Sequence, residues 1–213
     1  MHEYTKDDFL TVGPKRAPRA TLILAHGAGA PMDSDFMNEI SDGLAEKKIK
    51  VVRFEFPYMK ETRRSGKRKP PNSAKQLLES WNQVIELMRS EKLLIGGKSM
   101  GGRIASMAAD TAGVDGVVCL GYPFHPPGKP ENLRVEHLEK MKTPTLIVQG
   151  ERDTFGKRDE VESYSLSRKI KVEWLTDGDH SFKPRKKSGV SEKENFDSCI
   201  EIVDEFVRKL FKC

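Results

Sequence analysis

Ser99, Asp153 and His180 have the side chains that acyl transfer needs, each in a glycine-rich or polar turn after an apolar run. Ser99 lies in LLIGGKSMGGRIAS, which fits two chemistries. Gly97-Lys98-Ser99 could end a phosphate-cradling loop, G-x-x-x-x-G-K-[ST]. That loop needs a glycine five residues before Gly97, where the chain has Lys92, so this reading is set aside. Gly97-Lys98-Ser99-Met100-Gly101 also fits G-x-S-x-G, a tight strand-to-helix turn that lifts a nucleophilic serine. The apolar run Leu93-Leu94-Ile95 enters it and a helical pattern leaves it. Glycines flank the serine because neighbouring chain must pass close by.

A serine hydroxyl is a weak nucleophile without a base to take its proton and an acid to hold that base. In a turn of this type the chain order is serine, acid, histidine. Three histidines follow Ser99: His125, His137 and His180. His137, in RVEHLEKM, is expected to be solvated. His180, in TDGDHSF, follows an apolar strand and is the expected base. Asp153, in LIVQGERDTF, is the expected acid, with Glu151 and Asp159 as local rivals. Asp177 and Asp179 stand too near His180 in sequence to orient its ring. An oxyanion needs two N–H donors. Met100, directly after the serine, is expected to supply one. Ala28 in the loop His26-Gly27-Ala28-Gly29-Ala30 is expected to supply the other, with Gly27 and Gly29 as alternatives. His26 precedes the serine and is expected to be a structural loop residue.

These residues need a frame. Short apolar runs at residues 21–25, 50–54, 93–96, 116–120, 145–149 and 171–174 predict strands, most of them covered on both faces. Helical stripes alternate with them: Phe36, Ile40 and Leu44; then Leu77, Leu78, Trp81, Val84, Ile85 and Met88 after a Ser73 cap; then Ile104, Met107 and Ala108; and finally Phe196, Ile200, Val203, Val207 and Leu210. The alternation predicts an α/β three-layer sandwich around a mostly parallel sheet of about six or seven strands. Functional groups then gather at the carboxyl ends of the strands.

At 213 residues the chain is expected to form a single domain, 1–213. The N-terminal MHEYTKDDFLTVG has no apolar core of a secretory signal, and no run reaches the ~18 apolar residues of a membrane span. Three cysteines, Cys119, Cys199 and Cys213, make no disulfide framework. Cys119 is expected to be a buried small hydrophobe, and a cytoplasmic setting follows. The net charge of +5 is concentrated in two segments. Residues 60–69 (KETRRSGKRK) and 183–187 (KPRKK) are basic, while acids outnumber bases elsewhere. Both segments leave the carboxyl edge as expected solvated loops able to attract an anionic substrate. Neither has interleaved aromatics or a nucleic-acid-binding motif, so nucleic acid is not an expected partner.

With the strand followed by HGAGA, then GGKSMGG, GERD and GDHSF in that order, the sequence resembles the α/β-hydrolase superfamily from about Ala20 onward. GGKSMGGR and GYPFHPPGKPENLR resemble a small branch containing the testis-expressed hydrolase-like proteins and bacterial relatives, near the dienelactone hydrolases. The resemblance implies a Ser99–Asp153–His180 triad of carboxylesterase type, acting on a small-molecule acyl substrate with neither metal nor organic cofactor. Many members carry a lid of several dozen residues. Here residues 121–141 leave room for a loop and a short helix, so minimal or no lid is expected. Tyr122 and His125 are expected to border the pocket without a chemical step. Some members of the branch act as scaffolds, so a non-catalytic interaction module is the alternative reading.

Overall fold

Successive side chains of a strand point to opposite faces, so a continuous apolar strand feeds two cores at once. The computed structural model describes residues 4–212; Cys213 lies outside them. Its strands are β1 Phe9–Val12, β2 Ala20–Ala25, β3 Ile49–Phe54, β4 Leu93–Lys98, β5 Gly116–Leu120, β6 Thr145–Gly150 and β7 Ile170–Leu175. The helices are α1 Asp35–Glu46, α2 Pro57–Ser65, α3 Ala74–Leu87, α4 Met100–Ala112, α5 Glu136–Glu139, α6 Arg158–Val161 and α7 Glu192–Phe211. Ile23, Val52, Ile95, Val117 and Ile147 pack on one face with Trp81 and Val84 of α3 and Ile104 and Ala108 of α4. Leu22, Val51, Leu94, Val118 and Val148 pack on the other with Ile40 and Leu44 of α1 and Ile200 and Val203 of α7. Helices on both faces of one sheet make a three-layer α/β sandwich.

The sheet has seven strands in the order β1-β3-β2-β4-β5-β6-β7. All neighbours are parallel except β1, which runs antiparallel to β3 with Phe9 opposite Phe54. The chain steps from β2 outward to β3, then crosses back to place β4 on the other side of β2. Strand order therefore reverses between β2 and β4, and a crevice opens at their carboxyl ends, where ligands of such sheets bind.

Local chemistry sets the helix boundaries. Ser73 accepts the N–H of Gln76, whose side chain returns to the Ser73 N–H, closing a capping box at the start of α3. Ser191 and Glu194 do the same for α7. Between β5 and β6 the chain forms only the one-turn α5, so no lid covers the carboxyl edge. No helix among the described residues is long and apolar enough to cross a membrane.

Two expectations change. The strand β1 was not foreseen: it has four residues on the sheet edge, none fully buried, too short for a clear period. The basic segment at 60–69 is not a loop throughout. Pro57 presets the first turn of α2, which carries Lys60 to Ser65 before Gly66 ends it with φ 67°. Arg63 of that helix pairs with Glu55 and Asp33, and Lys60 pairs with Asp8. The second segment is a surface loop with one 3-10 turn, and its Arg185 pairs with Asp177.

Candidate active site

β4 runs directly into Ser99, whose φ of 51° and ψ of −116° place a non-glycine residue in a sparsely populated region. Such a conformation costs of order 1–3 kcal/mol and persists only where the surroundings enforce it. Here the Ser99 N–H is held by the Leu120 carbonyl of β5 (3.0 Å), and its own carbonyl accepts the Arg103 N–H (3.0 Å) as α4 begins. Close approach explains Gly101: a Cβ there would stand 2.4 Å from the Ala25 carbonyl oxygen and 2.6 Å from that of His26. The helix thus starts against the end of β2, with its positive end under the serine.

The turn after β7 brings His180 to this point. Asp179 shapes that turn by accepting the N–H groups of Ser181 (2.8 Å) and Lys183 (3.0 Å). His180 Nε2 lies 2.9 Å from Ser99 Oγ, and its Nδ1 lies 2.7 Å from Asp153 Oδ2. Asp153 is fully buried after β6. Its Oδ2 also accepts the side-chain N–H of Gln149 (2.9 Å), and its Oδ1 accepts the Phe155 backbone N–H (2.9 Å). The Phe155 ring lies 4.2 Å from the His180 ring, between centres. Burial of the imidazole pushes its pKa below 6.5, against the opposing pull of the Asp153 hydrogen bond. The expected serine, base and acid therefore converge in one hydrogen-bonded chain.

The rival acids have other partners. Glu151 pairs with Arg158 and accepts the Asp177 N–H. Asp177 is bound by Arg185 and Arg152, and its hydrogen bonds to Arg185 hold its carboxylate below the usual range. Asp159 is exposed in the first turn of α6.

The loop after β2 closes the other side of Ser99. A Cβ on Gly27 would be 3.7 Å from Ser99 Cβ. His26 fixes this loop from within: fully buried, it has Nδ1 2.7 Å from the Gly27 carbonyl and accepts the Phe56 N–H at Nε2 (3.1 Å). With Nε2 accepting, Nδ1 carries the proton, and burial favours that neutral ring. The Tyr58 hydroxyl donates to the Ala28 carbonyl (3.2 Å). Ala28 itself is exposed, and Met100 opens α4, whose first N–H groups have no partner within the helix.

Three other residues sit differently from expectation. His137 is half-buried, not solvated, with Nε2 2.9 Å from Ser106 Oγ, because α5 packs its inner side against α4. Tyr122 is fully buried and donates to the Arg134 carbonyl (2.9 Å), so it braces the segment after β5 from inside and does not border a pocket. His125, 2% exposed, is enclosed likewise, with Nδ1 2.9 Å from the Pro126 carbonyl and Nε2 3.4 Å from Glu160. Cys119 is buried, as expected, and burial raises its thiol pKa.

The support given by Gln149 was not anticipated. Its signal was present: one amide directly after the apolar run Leu146-Ile147-Val148. It receives the Tyr122 N–H (2.7 Å) and donates to both the Tyr122 carbonyl (3.1 Å) and Asp153. A cavity of about 350 Å³ adjoins the site, lined by Ala28, Tyr58, Thr62, Arg63, Arg68 and Lys69 among others. Among the described residues no three His, Cys, Asp or Glu side chains are grouped to hold a metal ion.

Solved structures with this architecture include an alpha-beta serine hydrolase homologue from Coxiella burnetii. It is 19% identical, with a TM-score of 0.66 and coverage of 94% of this chain and 90% of that one. Est1E from Butyrivibrio proteoclasticus is 14% identical, with a TM-score of 0.69 and 93% of each chain covered. A Xanthomonas campestris protein described as an a/b serine hydrolase without lid is 15% identical, with a TM-score of 0.65 and 96% and 87% covered. At these identities the likeness is one of fold. Residues 18–208, nearly the whole sheet and both helical layers, match the family described as Alpha/beta hydrolase domain, and the chain belongs to that family.

Proposed function

We propose that the protein is a serine hydrolase that cleaves an ester or related acyl bond through an acyl-enzyme on Ser99. The hydrogen-bonded run from Ser99 Oγ to His180 and on to Asp153, at 2.9 and 2.7 Å, carries this reading. His180 Nε2 takes the serine proton as Oγ attacks the acyl carbon. Asp153 keeps the Nδ1–H tautomer and stabilises the imidazolium that forms. The Met100 and Ala28 N–H groups hold the oxyanion. His180 returns its proton to the leaving group, then takes one from the attacking water and passes it to Ser99 Oγ as the acyl–Oγ bond breaks and the acid leaves. The description of one structural neighbour as an esterase domain from Rhodothermus marinus, and of others as serine hydrolases, supports the reading, as do the branch motifs GGKSMGGR and GYPFHPPGKPENLR, which resemble the small hydrolase branch near the dienelactone hydrolases. Labelling of the wild-type protein by a fluorophosphonate tests it: an activated Ser99 is modified. An unlabelled, folded protein would instead favour a non-catalytic module.

The base works only when neutral. With burial holding its pKa below the ordinary 6.5, kcat/KM is expected to rise with pH through a midpoint below 6.5 and then to level off. A profile measured on any hydrolysed ester checks this, and a midpoint above 7 contradicts the assignment of His180.

The absence of a lid suits small acyl groups, and the adjoining cavity suits an anion. Arg63 is already paired with Glu55 and Asp33. Arg68 and Lys69 line the cavity, and the Lys69 N–H is anchored on Thr62 Oγ1 (3.0 Å). Lys67 is exposed on the same turn but outside the lining. Replacing Arg68 and Lys69 by glutamine is expected to raise KM for monomethyl glutarate or adipate about tenfold, the worth of one charge-assisted hydrogen bond. The same change should leave methyl pentanoate unaffected, and Lys67→Gln should do much less. An equal effect from Lys67→Gln would reveal a diffuse field, not a binding cavity.

A further inference from the structure

Lys98 ends β4 directly before Ser99 and is only 9% exposed. A buried ammonium costs several kcal/mol unless its charge and donors are met. Its Nζ donates to the backbone carbonyl of His180. The same nitrogen lies 5.1 Å from the centre of the Phe36 ring on α1 and 5.7 Å from that of Phe182 in the turn after His180. Asp153, Asp179 and the Cys199 thiol of α7 are the titratable groups that favour its charge. Burial dominates and brings its pKa down to about 8.

Gly121, at the carboxyl end of β5, borders this contact with φ 67°. A Cβ there would stand 2.7 Å from Lys98 Nζ, 3.0 Å from the His180 carbonyl oxygen and 3.4 Å from His180 Cε1. A side chain at position 121 would therefore collide with the Lys98 ammonium and crowd the His180 carbonyl and ring edge, and glycine lets these groups approach. The proton relay uses Lys98 in no step, although this lysine joins the residue next to the nucleophile to the backbone of the base.

We infer that Lys98 is a positioning residue: its hydrogen bond to the His180 carbonyl sets the base against Ser99, and its positive charge beside the ring opposes imidazolium formation until the reaction begins. The inference rests on the hydrolase reading for its kinetic consequences only. Removing the charge makes protonation of His180 easier, so its titration moves up in pH. Removing the hydrogen bond loosens the geometry, so kcat falls while KM, set elsewhere, holds.

The test compares Lys98→Met and Lys98→Gln, which remove the charge, with Lys98→Arg, which keeps it. His180 titration is followed by NMR of its imidazole, which needs no turnover, and the acid limb of kcat/KM is measured alongside. Both charge-removing variants are expected to raise the His180 midpoint by about one pH unit. Lys98→Met should lower kcat about tenfold with KM within about twofold, and Lys98→Arg should leave the midpoint at its wild-type position. An unmoved midpoint in whichever of Lys98→Met and Lys98→Gln is folded, even with kcat reduced, would overturn the inference and leave Lys98 a packing residue. A wild-type protein that ignores fluorophosphonate would sink the hydrolase reading alone, since the NMR titration would still decide the role of Lys98.

Discussion

Ser99→Ala is expected to lower turnover by about 10⁴- to 10⁶-fold and to abolish fluorophosphonate labelling, with little change in thermal stability. The size follows from how the relay works. Without Oγ there is no nucleophile, and His180 and Asp153 have nothing to activate, so losing one member costs nearly as much as losing all. What remains is the background that oxyanion donors and binding give over water. The fold should tolerate the change for two reasons. Alanine keeps the Cβ that the strained turn already accommodates, so the φ of 51° becomes no harder to adopt. The substitution removes the hydrogen bond between Oγ and His180 Nε2, a half-buried pair whose loss costs on the order of 1 kcal/mol. Hydrolysis of a reactive ester, measured beside a thermal melt, checks both halves. Near-parental turnover by a folded variant would move the nucleophile elsewhere.

Asp153→Asn is expected to lower turnover about 10³- to 10⁴-fold, a loss that comes from proton placement, not from shape. The carboxylate receives three donors in a site closed to water: His180 Nδ1–H and the Gln149 amide on Oδ2, and the Phe155 N–H on Oδ1. An asparagine offers one accepting oxygen and one donating nitrogen. If its nitrogen faces His180, the ring must accept at Nδ1 and carry its proton on Nε2, where it can no longer take one from Ser99. If its oxygen faces His180, the nitrogen opposes the Phe155 N–H, and the imidazolium loses its counter-charge. Both orientations disable the base. A thermal melt distinguishes this from unfolding, and the folded variant should label slowly with fluorophosphonate at every pH. Wild-type labelling rates would show that another group orients His180.

Ser99 stood out as a candidate because a strained turn leaves a local record, and His180 because it follows a strand in the expected chain order. Gly97, Gly101 and the alternation of apolar strand with helix stand within a few residues of the serine. Asp153 was reached by chain order and by its place after a strand, and its buried carboxylate now faces His180. The parallel sheet was legible for a similar reason, since uninterrupted apolar runs such as Leu22-Ile23-Leu24 are tolerated only where both faces are covered. Other features were less clear. The edge strand β1 has too few residues to show a period, and α2 was hidden by its own charges, whose partners Asp8, Asp33 and Glu55 lie outside it. The solvated appearance of His137 was misleading, because Ser106 is 31 positions away.

The sequence by itself determined the layers, the order of the strands along the chain and the turn types that carry serine, acid and histidine. Each of these depends on backbone freedom and apolar period within a few residues. Tertiary structure alone decided which polar groups meet in the interior: Gln149 on Asp153, Tyr122 on the Arg134 carbonyl, and Lys98 on a carbonyl 82 residues further along. The physical reason is that a buried polar group must find a partner wherever the crossovers bring one, and contacts across a sheet edge leave no periodic trace in the chain.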